Sequence, residues 1–348
     1  MPSAFVLLVA AQAVTGDYRS WVNGAKQPGF VVAHGFKHTL TEFRDKFKIA
    51  KDNIQDNNLV NLDFDPLNAE VAIDLLDKMT TDYQNELKNK TTSKHAIETL
   101  GGMLGKKVLD KTKIEVAHST KPAWNKIISD SARNIRHNIA RGVLDGATPG
   151  ENVELDTTEI DFVFKRNYKT ELTGKYMGKE GMAKFKLPSD APLPDEFDVS
   201  IHTNKAGSGA WADGDGRFRV KSPVVGMELF RKNGTRIRLH QMQDLISIRF
   251  PNTTSDTPGF CAWWDKDAIE WSGTGCSRNT QPPADGMGEE CKCNHLTEFA
   301  LVTEEIAITP SPTPVLETSS EDSQLNTGQI AGLAVGGAAV AYVGSSQF

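Results

Sequence analysis

The feature that most constrains the fold of this chain of 348 residues is where its cysteines lie. All four of them, Cys261, Cys276, Cys291 and Cys293, fall in one segment of the C-terminal third. An even number of cysteines concentrated in this way favours disulfide bonds and an oxidising compartment. In a strand, Cys291 and Cys293 would point to the same face, because side chains alternate with a period of two residues. The segment is therefore predicted to contain a strand that cysteines clamp to its neighbours.

Directly after this strand the chain reads His295-Leu296-Thr297, and these three residues carry a candidate chemistry. An imidazole can remove the proton of a nearby hydroxyl, since histidine titrates close to physiological pH. Thr297 Oγ would then attack the carbonyl carbon of Leu296, and the peptide nitrogen would leave, giving an ester that water hydrolyses. Proximity within a tight bend, together with backbone strain at the scissile bond, would lower the barrier. The candidate reaction is a cut between Leu296 and Thr297, with His295 as the base and Thr297 as the nucleophile.

The residues around this triplet resemble the GPS motif, which ends the GAIN domain of adhesion G-protein-coupled receptors and polycystin-like proteins. The pattern runs from a Cys followed by Trp, through a Trp before a Gly-Cys pair, to Cys-x-Cys-x-His-Leu-Thr-x-Phe. The matching positions are Cys261, Trp263, Trp264, Trp271, Gly275, Cys276, Cys291, Cys293, His295, Leu296, Thr297 and Phe299.

The resemblance implies two disulfides, Cys261–Cys291 and Cys276–Cys293, a base at His295 and a nucleophile at Thr297. It also implies that the two fragments stay associated after the cut. The segment 297–302 resembles the tethered agonist of such receptors. In that strand Thr297, Phe299 and Leu301 alternate with other residues, which predicts one face buried between two sheets.

Two other functions remain open from the sequence. One is an uncleaved adhesion or structural module of the same fold. The other is a zinc-stabilised module with Cys291, Cys293 and His295 as ligands and Cys261 or Cys276 as the fourth. Structural zinc sites favour C-x₂₋₄-C knuckles, and the sequence has C-x-C, so we predict no metal site and no cofactor. We do not expect a turnover enzyme, because the sequence contains no Gly-x-Ser-x-Gly, HExxH or phosphate-loop motif.

Hydrophobic spacing predicts an α+β fold, with an N-terminal helical subdomain followed by a β-sandwich that contains the GPS motif, as in the GAIN domain. Apolar residues recur at helical spacing from residue 68 to about 144, interrupted at Gly101-Gly102, and alternate with a period of two from about Val153. Lys232-Asn233-Gly234 predicts a hairpin turn. The predicted regions are a candidate signal peptide at 1–16, an unassigned segment at 17–65, the helical subdomain at 66–150, the β-sandwich at 151–305 with the motif at 261–302, a Pro/Ser/Thr-rich linker at 306–328 and a short apolar tail at 329–348.

Both ends of the chain bear on its location. The apolar run 4–10 and the following Ala-Gln-Ala resemble a signal peptide, although no positive residue precedes them; a buried strand of a longer chain is the alternative. The charge-free run 330–343 is shorter than the ~20 residues of a membrane helix. It fits an incomplete transmembrane segment, a marginal anchor, part of a lipid-anchor signal or a soluble tail. We expect a protein that is secreted or at the cell surface, with membrane anchoring through this tail as one option.

Charge and composition bear on the partners. The net charge of −6, without a basic stripe, argues against a nucleic-acid partner. The expected partners are the protein's own two cleavage fragments and an unidentified extracellular ligand.

Overall fold

A computed structural model describes residues 35–55, 66–105, 121–205, 217–240, 242–251, 253, 257–279 and 288–304. All of them belong to the first of two compact units, Met1–Ala307, and the second unit is Ile308–Phe348. The candidate signal peptide, the linker and the apolar tail lie outside the described residues. Within the described ranges, none of the helices combines the length and the apolar character that crossing a membrane requires.

Four long helices precede the strands. Their buried positions recur every three or four residues, as in Ile128, Ile135, Ile139 and Val143 of the fourth helix. A short 3₁₀ helix, Gln84–Lys88, and a four-residue helix, α5, complete the helical elements of the described ranges. The bounds are α1 Phe36–Gln55, α2 Pro66–Asp82, α3 Lys90–Met103, α4 Lys121–Asp145 and α5 Lys169–Leu172. The segment 17–65, unassigned from sequence, thus contributes α1, whose Phe43 is fully buried.

Helix α3 ends at Met103, one residue after the Gly101-Gly102 pair, so the interruption predicted from the sequence falls in its last turn. A Cβ added at Gly101 would lie 2.8 Å from Glu159 Cβ and 3.2 Å from Ile160 Cγ1. The glycine therefore allows the helix to approach the neighbouring strand closely.

The strands form two antiparallel sheets. Sheet 1 has the order β1-β2-β5-β7-β14-β10-β11, with β6 paired to β14 and β8 paired to β7. Sheet 2 has the order β12-β13-β9-β4-β3. The predicted hairpin turn joins β7 to β8, and Gly234 there has a φ of +79°. The bounds are β1 Asn152–Asp156, β2 Ile160–Tyr168, β3 Tyr176–Met177, β4 Lys184–Lys186, β5 Glu196–Asn204, β6 Phe218–Val220, β7 Val224–Phe230, β8 Arg236–Ile237, β9 Ile246–Arg249, β10 Phe260–Asp265, β11 Glu270–Ser272, β12 Cys276–Arg278, β13 Glu290–Cys293 and β14 Glu298–Glu304.

Sheet 1 is the middle of three layers, with the helices on one face and sheet 2 on the other. Alternate residues of its strands enter two separate cores. Phe162 and Phe164 of β2 pack with the helices, whereas Val163 between them packs in the core between the sheets. The predicted α+β fold, a helical part followed by a β-sandwich, is confirmed.

Strand β14 is buried on both faces, although the sequence predicted burial on one. Phe299 and Leu301 lie in the core between the sheets, and Ala300 and Val302 lie in the core beneath the helices. Glu298, on the helix side, is also buried. The sequence pattern could not predict the second buried face, because it does not specify where the helical layer packs.

Gly226 of β7 is predicted to be essential for stability. It lies between His202 of β5 and Glu298 of β14 in the register of sheet 1, and a Cβ added there would overlap the His202 imidazole. Overpacking a core costs about 1–3 kcal/mol, so Gly226→Ala should lower the free energy of unfolding by that amount. Gly146→Ala is the control, because its added Cβ would meet Lys88 Cβ at an ordinary 3.4 Å. Equal denaturant midpoints for the two variants would contradict the prediction.

Candidate functional site

Two disulfides frame the chain reversal between β13 and β14. Cys261–Cys291 joins β10 of sheet 1 to β13 of sheet 2, with Cα atoms 5.8 Å apart. Cys276–Cys293 joins residues that are directly opposite in the β12–β13 pair, with Cα atoms 4.2 Å apart. This bonding is incompatible with the zinc-stabilised alternative, because a disulfide sulfur is not a thiolate ligand. In the described ranges, no group of three or more His, Cys, Asp or Glu residues is placed to hold a metal ion.

The segment from Asn294 to Thr297 carries the chain from sheet 2 to sheet 1 and is held by backbone hydrogen bonds. Asn294 donates its N–H to Gly275 O at 3.1 Å and accepts one from Met242 N at 3.0 Å. Leu296 donates its N–H to Leu239 O at 3.3 Å. The peptide bond between Leu296 and Thr297 thus lies in a bend that is tied to neighbouring loops.

His295 is half-buried and its ring is held by an aromatic neighbour. The ring centroid of Trp263 lies 4.5 Å from that of the imidazole, edge to face, and Trp263 Nε1 donates to Thr274 O at 2.8 Å. Burial lowers the pKa of His295 to about 4; His240 lowers it further and Asp265 opposes the shift. The imidazole is therefore neutral at physiological pH, which is the form that can accept a proton.

The amide of Asn294 selects the tautomer of His295. Nδ1 of the imidazole lies 2.8 Å from Asn294 Oδ1. A carbonyl oxygen accepts, so Nδ1 carries the proton and Nε2 carries the free lone pair. Nε2 is buried and has no hydrogen-bond partner among the described residues. Gly275, with a φ of +76°, leaves room for this amide, because a Cβ there would lie 2.5 Å from Asn294 Oδ1.

The hydroxyl of Thr297 contacts two acceptors, and neither belongs to His295. Its Oγ lies 3.4 Å from Trp264 O and 3.3 Å from Glu298 Oε2. In the part of the chain that the structure describes, no hydrogen bond joins the hydroxyl to the imidazole. The structure therefore places His295, Leu296 and Thr297 on one bend without pairing the expected base with the expected nucleophile.

A buried charged pair lies next to Thr297 and was not predicted from the sequence. Arg136 of α4 donates through Nη2 to Glu298 Oε1, and only 1% of the Arg136 side chain and 10% of the Glu298 side chain is exposed. Burial lowers the pKa of Arg136 and raises the pKa of nearby Glu228. The pKa of His202 is held well below its ordinary value, by burial first and by the charge of Arg136 second. A Glu inside an apolar strand was the available signal, since a buried carboxylate requires a partner. Nothing in the sequence points to Arg136 as that partner.

A cavity of about 610 Å³ opens beside the bend. His295, Leu296, Thr297 and Glu298 line it on one side. The rest of the lining is mixed, with apolar residues such as Met227, Leu229 and Ile237 beside charged ones such as Arg236 and Asp265. The space has room for several water molecules, each of which needs about 30 Å³, and its charged groups can hydrogen-bond to them.

The neutral state of His295 can be tested by NMR titration of its ring. The apparent pKa should be about 4 in place of the ordinary 6.5. Between these values the unfolded chain binds a proton that the folded protein does not, so this group makes stability fall as the pH drops from 6.5 to 4. His137 also has a pKa lowered to about 4, by burial first, so the signal is assigned by its loss in His295→Gln. An His295 titration near 6.5 would contradict the described geometry.

Comparison with known proteins finds a family match for the part of the chain that runs from β5 to β14 and includes the bend. The family model for GPS, described as GAIN subdomain B, matches residues 196–305. A comparison with curated proteins finds no match. Among solved structures, one match is the full extracellular region of zebrafish Gpr126/Adgrg6, with 12% identity and a TM-score of 0.36. The match covers 67% of this chain and 34% of that one, so this chain spans about a third of that structure's length.

The segment matched by the family model runs from the start of β5 to the end of β14. It includes both disulfides and the bend that carries His295, Leu296 and Thr297. Residues 196–305 of this chain therefore belong to the GPS family as a GAIN subdomain B, and the protein contains a GAIN/GPS module.

Proposed function

We propose that this module cuts its own backbone once, between Leu296 and Thr297, and that the two fragments then stay associated. The observation that carries the proposal is the bend itself. It holds a hydroxyl, the peptide bond before it and a neutral imidazole within three residues, in a frame of two disulfides. Holding reacting groups together in this way supplies much of the barrier reduction in an intramolecular reaction.

The proposed reaction begins with the free lone pair of His295 Nε2. The Thr297 side chain leaves its Trp264 acceptor, and the imidazole takes the hydroxyl proton while Oγ bonds to the carbonyl carbon of Leu296. The bond from this carbon to the Thr297 nitrogen then breaks, and the nitrogen takes the proton, which leaves an ester. A water molecule from the adjoining cavity adds to the ester and releases the Leu296 carboxylate and the Thr297 hydroxyl.

The proposed setting is the cell surface or the extracellular space, where both disulfides are stable. The reaction is a single turnover in cis and does not make the protein an enzyme for other substrates. Its partners are its two fragments and an unidentified extracellular ligand, with the apolar tail as a candidate membrane anchor and no nucleic acid. An agonist role for the segment 297–302 would require its release, because Glu298 to Val302 are buried.

A second candidate is an uncleaved structural module of the same fold. One observation favours it: within the described residues, the hydroxyl of Thr297 hydrogen-bonds to Trp264 and Glu298 and not to His295. Hydrogen bonds of catalytic groups are often long or absent before the reactive state forms. Resting geometry therefore does not decide between the two candidates, and the size of the secreted chain does.

Cleavage predicts two bands for the secreted protein on a denaturing gel, with the smaller fragment beginning at Thr297 by N-terminal sequencing. Thr297→Ala should abolish the cut, because it removes the nucleophile. His295→Ala should slow it by roughly 10²–10⁴-fold, the usual worth of general-base assistance. Thr303→Ala, near the partly exposed end of the following strand β14, is the matched control and should be cut like the wild type.

A folded, oxidised wild-type protein that stays whole would favour the uncleaved module. A cut that persists in Thr297→Ala would point to a contaminating protease. The proposal therefore requires that loss of the hydroxyl at Thr297 stops the cut and that loss of the hydroxyl at Thr303 does not.

Retention of the cut strand is a separate prediction. β14 is paired with β7 and β6 on one side and with β10 on the other, and both of its faces are buried. Each fully buried Phe or Leu stabilises by about 1.5–3 kcal/mol. The fragments should co-elute in native size-exclusion chromatography and separate in denaturant. Phe299→Ala should make them separate at lower denaturant, since emptying a buried Phe position costs about 3–5 kcal/mol; spontaneous separation of the wild type in mild buffer would contradict the prediction.

A further inference from the structure

We propose that Glu298 is a second base in the self-cleavage, with its carboxylate accepting the proton of Thr297, and that Arg136 positions it. This inference rests on the proposed function, because it concerns the same reaction. It goes beyond the His-Leu-Thr triplet by adding the residue after the nucleophile and an arginine from the helical layer.

The first support is the contact of the nucleophile itself. Thr297 Oγ lies 3.3 Å from Glu298 Oε2, and its other acceptor, Trp264 O, is a carbonyl that does not take up a proton. In the described residues the imidazole of His295 makes no hydrogen bond to this hydroxyl. The carboxylate is thus the only basic group that the described structure hydrogen-bonds to the nucleophile.

The second support is the division of the carboxylate between two partners. Arg136 Nη2 donates to Oε1 of Glu298, and Thr297 donates to Oε2. The guanidinium therefore fixes the carboxylate in one orientation and leaves the second oxygen facing the hydroxyl. Glu228, a partly buried carboxylate of the same region, has a donor of its own in Arg236 Nη2 at 2.6 Å.

The third support is that stability does not by itself account for the pair. Glu298 lies in a strand whose next four residues are buried and apolar, Phe299 to Val302. A buried ion pair contributes little compared with well-packed apolar residues of the same volume, whereas a single unpaired charge costs a great deal. Apolar residues at both positions, 136 and 298, would satisfy the fold without a buried charge, so a role in the chemistry better explains why the pair is present.

The proton balance of the step is complete. The hydroxyl proton passes from Thr297 Oγ to Glu298 Oε2 as Oγ bonds to the carbonyl carbon of Leu296. The carbon–nitrogen bond then breaks, and the leaving nitrogen takes the same proton from the Glu298 carboxyl. The ester forms and the carboxylate is restored, and His295 provides the parallel route through Nε2.

The test is a pulse-chase measurement of the cut fraction of the secreted protein over time. Glu298→Gln keeps a side-chain oxygen that can accept a hydrogen bond but cannot take a proton, so it separates holding the hydroxyl from deprotonating it. We expect Glu298→Gln to slow the cut about 10²-fold. Glu298→Gln in a His295→Ala background should be slower than either single variant, because both routes are removed.

The matched control is Asp198→Asn. Asp198 is buried and receives two hydrogen bonds from Arg166, at 2.8 Å each, in the same sheet, and loss of its charge should not change the cutting rate. Folding of each variant is checked by its thermal midpoint in a Thr297→Ala background. If Glu298→Gln is too unstable for secretion, Arg136→Met/Glu298→Gln removes the orphan charge and should still cut slowly.

The positioning role of Arg136 is tested by the cutting rate of Arg136→Met in two backgrounds. If Arg136 acts through Glu298, Arg136→Met slows the cut in the wild type but adds nothing in the Glu298→Gln background. Additive slowing would make Arg136 a structural residue only and would overturn its positioning role. A wild type that cuts and a folded Glu298→Gln that cuts equally fast would overturn this inference alone, whereas a wild type that stays whole would overturn it together with the proposed function.

Discussion

The burial of β14 in the middle layer is the constraint on which the rest of the site depends. An interior strand satisfies its backbone groups through neighbours on both sides, and here apolar cores cover both faces. The residue before the strand is Thr297, so the position of the proposed nucleophile is set by the strand that follows it. Such a strand can tolerate a cut at its beginning, because the contacts that hold it lie after the cut.

The disulfides and the glycine before Cys276 act on the other side of the bend. Cys261–Cys291 connects the two sheets, so the chain that leaves β13 must cross to sheet 1 close to this bridge. Gly275 leaves space for the amide of Asn294, and that amide sets the tautomer of His295. Gly275, Asn294 and His295 thus form a series of contacts that fixes the orientation of the imidazole.

Burial has opposite consequences for the two candidate bases. It keeps His295 neutral, which makes it available as a proton acceptor at physiological pH. For Glu298, burial would be costly without a cation, and Arg136 supplies one from the helical layer. The bend before β14 is therefore in contact with α4 through Glu298, although the family model matches only residues 196–305.

Local patterns in the sequence determined the fold class, the hairpin turn at Lys232 to Gly234 and the bend that follows the C-x-C pair. These features depend on side-chain period, turn chemistry and cysteine spacing, which act over a few residues. The sequence alone did not reveal that β14 is buried on both faces, or that Glu298 contacts Arg136, 162 residues away. Both facts depend on which surfaces pack together, and the order of residues along the chain does not specify the partner of a buried charge. Only the tertiary structure decided them, because both require the helical layer to pack against sheet 1.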